Sequence, residues 1–227
     1  PILGTEVLTP VEMGSVTQLL GLSGLIYFSF FVPLWQYFTR CLLEWNEKGV
    51  LFNYIKYLIG YLSIAVILIG FLVYIVQHFF GIIQNIGTSW VVFLVMINFI
   101  FQALSKISID GFNILGSRLK FVILSNLLAW SSVILAYVLY SWHNSAIFWV
   151  LGIFSSYFLV SSSVILLLTE ISGNKRFISL SKVIRINYRP VLNFSLPLLV
   201  MALLWWVTSQ GDKFIVQDLS IIGFFAV

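Results

Sequence analysis

The chain alternates between long stretches without Asp, Glu, Lys or Arg and short polar segments. Residues 13–39 are free of these charges over 27 residues, and 57–105 and 121–169 over 49 residues each. One helix needs about 20 apolar residues to cross a bilayer. A single helix of 49 residues would be about 73 Å long, more than twice the thickness of the hydrocarbon core. Each of the two longer stretches is therefore expected to double back and form two spans.

Turn-forming sequences divide both long stretches, at 81–89 (GIIQNIGTS) and at 141–145 (SWHNS). The pattern predicts an all-α polytopic membrane protein with six complete transmembrane helices and parts of two more. We expect residues 212–218 to close the sixth span and residues 219–227 to begin a further helix. Pro33 is expected to kink the first span. The predicted spans are residues 13–39, 57–80, 90–105, 121–140, 146–168 and 191–211.

The composition agrees with a membrane protein and excludes a soluble nucleic-acid reader. The mean hydropathy is +1.04 and only 9% of the residues are charged, whereas soluble domains have about 25%. The net charge of +4 comes from basic residues scattered in short gaps rather than clustered on one polar face, so no nucleic-acid partner is expected. The single cysteine, Cys41, excludes an internal disulfide.

The basic residues also predict the orientation of the chain. The segments 40–56, 106–120 and 169–190 contain three, three and five Lys or Arg residues, which is eleven of the twelve. These segments alternate with polar segments in which Lys213 is the single Lys or Arg. By the positive-inside rule the basic segments are cytoplasmic, which predicts a multi-pass protein of the bacterial inner membrane.

The segment 169–190 divides the chain into an N-terminal bundle (1–168), a basic cytoplasmic linker (169–190) and the start of a second bundle (191–227). In the linker, Lys182, Arg185 and Arg189 recur at helical spacing. Two interpretations of this spacing remain open: a short helix along the membrane surface, or a solvated loop.

Several short motifs carry a resemblance to a known family. LTPVEMG at 8–14 precedes a span that ends in PLWQYFTR, and NFSLPL at 193–198 precedes a tryptophan-bearing helix, GDKF and IIGFFAV. An acid, a leucine, a hydroxyl residue and a glycine recur at 6–14 and 217–223, which is typical of a six-helix repeat. The chain resembles the Wzx-type polysaccharide flippases of the multidrug/oligosaccharidyl-lipid/polysaccharide exporter superfamily. It departs from them at Lys213, where arginine is frequent.

The resemblance implies a fragment that lacks most of the first helix of its N-terminal bundle. It implies a non-enzymatic transporter that moves an undecaprenyl-pyrophosphate-linked oligosaccharide to the outer leaflet, as one bundle rocks against the other. The expected partners are this cargo, membrane lipids and the polymerase or glycosyltransferases of polysaccharide and O-antigen (lipopolysaccharide) biosynthesis.

An anionic, hydroxyl-rich head group needs basic residues at the mouth of its path and amides deeper, because Lys or Arg at mid-membrane costs about 2.5 to 3.5 kcal/mol. Arg40 matches the basic residue that closes the similar family segment, and Gln36 lies one turn deeper. We hypothesise that Arg40 meets the pyrophosphate; the alternative is that it reaches the lipid phosphates. Asn98 and Gln102 share one helix face and either line the sugar path or bond a neighbouring helix.

Asp212 and Lys213 are candidates for an ion pair that gates the outer mouth, against the alternative of an exposed pair of little energetic consequence. No catalytic set, metal site or cofactor is predicted, because His78 and His143 fall in separate turns without Cys or carboxylate partners at ligand spacing.

Two other functions compete with the flippase. A cation-coupled multidrug exporter of the same superfamily commonly uses an acid within a span, and none of the predicted complete spans contains one. A polytopic enzyme of polysaccharide assembly would require a histidine or acid constellation, or a large outer loop, and the sequence shows neither.

The predicted orientation has a direct test. Tags inserted at Gln84 and at Lys175 are expected on opposite sides of the membrane, because an odd number of predicted spans separates them. Protease accessibility in intact and permeabilised cells measures this, and finding both tags on one side would contradict the six-span topology.

Overall fold

The computed structural model describes residues 8–81, 83, 86–173 and 188–220 of the 227-residue chain. Within these ranges the chain forms helices and no strand. The helices in chain order are α1 (Pro10–Phe30), α2 (Val32–Glu47), α3 (Leu51–Phe80), α4 (Thr88–Ile114), α5 (Arg118–His143), α6 (Ala146–Ser161), α7 (Ser163–Gly173) and α8 (Tyr188–Ser220).

Six helical segments in the described residues are long and apolar enough to cross a membrane, and α6 and α7 together form one of them. The prediction of an all-α polytopic membrane protein with six complete spans is confirmed. The helix α2 is not one of these six segments. It buries Trp35, Phe38, Leu42 and Trp45 on one side and exposes Gln36 on the other. It is an amphipathic helix rather than a span.

The first predicted span, 13–39, is too long, because the structure divides it at Phe31. That residue has φ −110° and ψ −50°, and α2 begins immediately after it with Pro33 in its first turn. A proline inside a continuous helix has no N–H for the preceding turn and its ring collides with that turn, whereas a first turn accepts it. The expected kink at Pro33 is therefore a break between two helices.

The segments 40–56 and 106–120, predicted as polar loops, are largely helical. α2 continues through Glu47 before α3 begins at Leu51, and α4 continues through Ile114 before α5 begins at Arg118, so only the short connections between them are turns. Buried apolar residues such as Ile107 and Phe112 run between the charged residues. Counting charges alone therefore placed the helix ends too early.

The last helix also extends beyond its prediction. α8 remains helical through Ser220, so the expected break at 212–218 is wrong: one glycine and a few charged residues do not end a helix outside the hydrocarbon core. The helix predicted over 219–227 lies almost entirely outside the described residues. So does most of the linker, including Lys182 and Arg185, whereas Arg189 lies in the first turn of α8.

α3, α4, α5 and the span formed by α6 and α7 together run alternately up and down, which gives the bundle two distinct ends. The turns at 48–50 and 115–117 lie at the end that carries most of the charges, here called the charged end. There Glu170 of α7 accepts hydrogen bonds from Lys120 and from Ser117, the latter at 2.9 Å. The opposite end carries the connections between α3 and α4 and between α5 and α6, and both fall within the segments 81–89 and 141–145 that the sequence predicted as turns. Gln77 closes the first of these by exchanging two hydrogen bonds with the backbone of Ile83, at 2.7 and 3.0 Å.

The centre of the bundle is α4, which contacts α1, α2, α3, α5, α6 and α7. Its side chains Leu94, Phe99 and Ile107 are almost completely buried. α8 lies against α1 and α2, and the hydroxyl of Ser195 donates to the carbonyl of Pro33 at 3.3 Å. The arrangement places α1 and α2 between α4 on one side and α8 on the other.

The closest helix contact gives the first structural prediction. A Cβ added to Gly152 of α6 would lie 2.3 Å from Cα of Ala136 in α5. Because this neighbour is backbone, Gly152→Ala must push the two helices apart, and overpacking of this kind costs about 1–3 kcal/mol. We expect a lower thermal unfolding temperature in detergent.

Gly60→Ala is the matched control, since a Cβ there meets nothing within 4 Å. Equal melting temperatures for the two variants would contradict the close packing of α5 on α6.

Candidate functional site

A cavity of about 530 Å³ lies within the bundle, toward the charged end. α1, α2, α4, α5 and α6 all contribute to its wall, and we call it the head-group cavity. Its lining combines aromatic rings, two amides, one cation and one carboxylate; the residues used below are Tyr27, Phe28, Trp35, Gln36, Gln102, Lys106, Asp110 and Tyr157.

Asp110 is the best-held polar side chain of this cavity. Its Oδ2 accepts a hydrogen bond from the indole Nε1 of Trp35 at 2.8 Å, and its Oδ1 lies 3.1 Å from Nζ of Lys106. Trp35 is 3% exposed, and the side chain of Lys106 is 48% exposed. A carboxylate away from water needs a partner of this kind. The pair leaves the cavity with no net charge from these two groups.

The two glutamines predicted for the substrate path line this cavity together. Gln36 reaches it from α2 and Gln102 from α4. Asn98 is 3% exposed and does not line the cavity; its Nδ2 donates to Oε1 of Gln102 at 3.2 Å. Its Oδ1 is buried without a hydrogen-bond partner among the described residues. Asn98 thus orients Gln102 from behind, which is a third arrangement beside the two that the sequence suggested.

Arg40 does not line the cavity. Its guanidinium lies 4.5 Å from the ring centroid of Phe194 in α8, and the ring of Tyr37 packs against the same phenylalanine with centroids 5.8 Å apart. Such a cation–π contact is worth about 0.5–1 kcal/mol at an exposed site. On α2, which is not a candidate span, burial raises the pKa of the Cys41 thiol, so the thiol is protonated at neutral pH.

Asp212 and Lys213, the candidate gate pair, belong to α8. The structure describes their backbone and not their side chains. Conversely, Lys106 and Asp110 line the cavity although the sequence analysis assigned them to a loop. The signal that would have found them is their spacing: an Asp four residues after a Lys forms an ion pair on one helix face. Because α4 was predicted to end at Ser105, Lys106 and Asp110 fell in a predicted loop, where a spacing of four residues does not place two side chains on one face.

The chemistry of the cavity suits a ligand that is polar but only partly charged. Aromatic walls offer flat apolar faces, the glutamine amides both donate and accept hydrogen bonds, and Lys106 offers a cation. Among the described residues no group of three His, Cys, Asp or Glu is close enough to hold a metal ion.

Trp35 and Asp110 are expected to be energetically coupled. Trp35→Phe keeps an aromatic ring but removes the donor, and a hydrogen bond to a charged group contributes about 1.5–3 kcal/mol. In a double-mutant cycle, Trp35→Phe and Asp110→Ala should therefore destabilise the protein by less together than the sum of the two single changes.

Thermal unfolding in detergent measures the cycle. Trp149→Phe is the control, because Trp149 packs edge-on against Tyr140 and, within the described residues, its indole is not placed by a carboxylate. Full additivity of Trp35→Phe and Asp110→Ala would show that the contact contributes nothing.

Comparison with known proteins finds no family model that matches the sequence, no similar curated protein and no solved structure with a matching fold.

Proposed function

We propose that this protein is a membrane transporter that moves a lipid-linked oligosaccharide, carried on undecaprenyl pyrophosphate, across the bacterial inner membrane by alternating access. The cargo would be made and consumed by other proteins of polysaccharide biosynthesis, and the transporter itself would break no bond. The proposal joins the motif resemblance to the head-group cavity, which is the observation that carries it.

Three properties of the cavity support a sugar-bearing cargo. Gln36 and Gln102 place amides where sugar hydroxyls can exchange hydrogen bonds, and Tyr27 and Trp35 supply aromatic faces beside them. Lys106 adds one cation for the pyrophosphate. The cavity lies toward the charged end, which the positive-inside rule assigns to the cytoplasm, where the cargo would be loaded.

Arg40 has a second place in this proposal. It is exposed on α2, one helical turn from Gln36 and on the same face. Arg40 would meet the pyrophosphate at the mouth before Lys106 receives it inside.

A cation-coupled multidrug exporter of the same superfamily is the second candidate, and one observation favours it. Asp110 lies on the helix Thr88–Ile114, which forms a candidate span, five residues beyond the predicted span 90–105. An acid is therefore present near the end of a span helix. An organic cation, however, requires a cavity of net negative charge. Lys106 already balances Asp110 at 3.1 Å, and this balance favours the sugar cargo.

Lys106 provides the test. Lys106→Met is expected to lower oligosaccharide export at least tenfold at normal membrane abundance, because the pyrophosphate loses its cation inside the cavity. Export is measured as surface polysaccharide in a strain that lacks its own flippase. Lys56→Met is the control: Lys56 is exposed on α3 and lies over the ring of Phe52, outside the cavity.

A double variant separates cargo binding from structure. Lys106→Met with Asp110→Asn restores the neutrality of the pair, so it would rescue export if Lys106 only balanced Asp110. We expect no rescue. Normal export by Lys106→Met, or rescue by the double variant, would contradict the role of Lys106 and remove the main support for an anionic cargo.

A further inference from the structure

A second cavity, of about 350 Å³, lies between α1 and α8 and is called here the seam. Leu20, Gly21 and Gly24 of α1 form one side of it, and Trp205 and Trp206 of α8 form the other. Thr17 and Phe28 of α1 complete the lining. Apart from the main chain, the Thr17 hydroxyl and the indole nitrogens, these groups are apolar. The seam therefore offers mainly hydrocarbon contacts and no charged side chain.

Two contacts hold α1 and α8 together around this space. The indole Nε1 of Trp206 donates to the carbonyl of Gly21 at 2.8 Å, and the ring of Trp205 meets Phe28 edge to face with centroids 5.0 Å apart. A Cβ added to Gly24 would meet nothing within 4 Å. Among the described residues, no side chain fills the gap beside Gly24, which lies between α1 and the two tryptophans of α8.

The seam adjoins the head-group cavity. Phe28 lines both of them, so one ring separates the polar space from the apolar one. Along α1, the seam extends from Phe28 back to Thr17, about 16 Å by the helical rise. That direction leads from the charged end toward the middle of the bilayer. The two cavities together have the polarity of an amphiphile whose head lies near the charged end.

We propose that the seam receives the part of the polyprenyl chain nearest the pyrophosphate, while the head group occupies the head-group cavity and Phe28 packs against the junction. This inference rests on the proposed function and extends it by assigning a place to the lipid tail. One chain fits the arrangement better than the two acyl chains of a phospholipid, because α1 and α8 already touch at Trp206–Gly21 and at Phe28–Trp205.

The tail gains no hydrophobic free energy in the seam, because it comes from a bilayer that is equally apolar. Its contribution must come from close packing against the tryptophans and from the attached head group. The seam should therefore orient the cargo and discriminate modestly among lipids, and a variant that fills it should have a measurable but limited effect.

The experiment uses polyprenyl phosphate with a diazirine near the phosphate end of its chain, added to proteoliposomes of the whole protein. After photolysis, the cross-linked peptides are identified by mass spectrometry. We expect labels on the α1 and α8 residues that line the seam. Gly24→Leu, which fills it, should lower this labelling at least threefold. Gly14→Leu is the matched control, since a Cβ at Gly14 also meets no atom within 4 Å and Gly14 does not line the seam.

Labels spread evenly over lipid-facing residues such as Ile123 and Ile134 of α5, or labelling unchanged by Gly24→Leu, would overturn the inference. So would a diacyl phospholipid probe that labels the seam as strongly as the polyprenyl probe. The export assay separates the two proposals. If Gly24→Leu abolishes the labelling of the seam but the protein exports no oligosaccharide, the seam binds a polyprenyl chain and the proposed transport function is wrong. If the protein exports oligosaccharide but the seam is not labelled, the transport function stands and the role of the seam is wrong.

Discussion

The arrangement of this bundle depends on the hydrogen bond between Trp35 and the carboxylate of Asp110. Asp110 lies in the last turns of α4 with its side chain 21% exposed, and a partly buried carboxylate needs partners. It has two, Lys106 on its own helix and Trp35 on α2. The second bond holds α2 against the end of α4. That contact closes one wall of the head-group cavity and leaves Gln36 beside Gln102.

The bond between Trp35 and Asp110 requires the break at Phe31. A continuous helix from Pro10 to Glu47 would be about 57 Å long and would carry Trp35 away from the bundle. The break lets α2 take a new direction, and its buried aromatic residues then form a stack in which Phe31, Trp35 and Phe38 follow one another at centroid distances of 5.9 and 6.5 Å. Pro33 therefore accounts for both the break between α1 and α2 and the cavity that α2 helps to enclose.

The sequence predicted the all-helical fold, the number of spans and the positions of the connections at the end opposite the charged end. All three depend on the length of the hydrophobic stretches, which the thickness of the bilayer fixes. The helix ends at the charged side did not follow. There the chain leaves the hydrocarbon core but remains helical, and neither charge nor hydropathy marks where it stops. Gln36 was singled out from its spacing to Arg40, and Gln102 because it shares a helix face with Asn98. Lys106 and Asp110 were missed because α4 was predicted to end at Ser105. The partner of Asp110 across the fold, Trp35, is 75 residues away and is one of eight tryptophans in the chain.

The position of α2 gives the cavity a physical connection to α8. One side of α2 is held by Asp110 through Trp35, and the other side meets Phe194 through Tyr37 and Arg40. In the proposed transport cycle, a cargo anion that drew Lys106 away from Asp110 would change the charge that Trp35 faces. α2 is not one of the candidate spans, so it would be free to respond. Any shift of α2 then acts on the first turns of α8, the helix that the motifs assign to the second bundle. The proposed alternating-access cycle needs such a link between the cargo and the contact of the two bundles. α2, which packs against both α4 and α8, is placed to supply it.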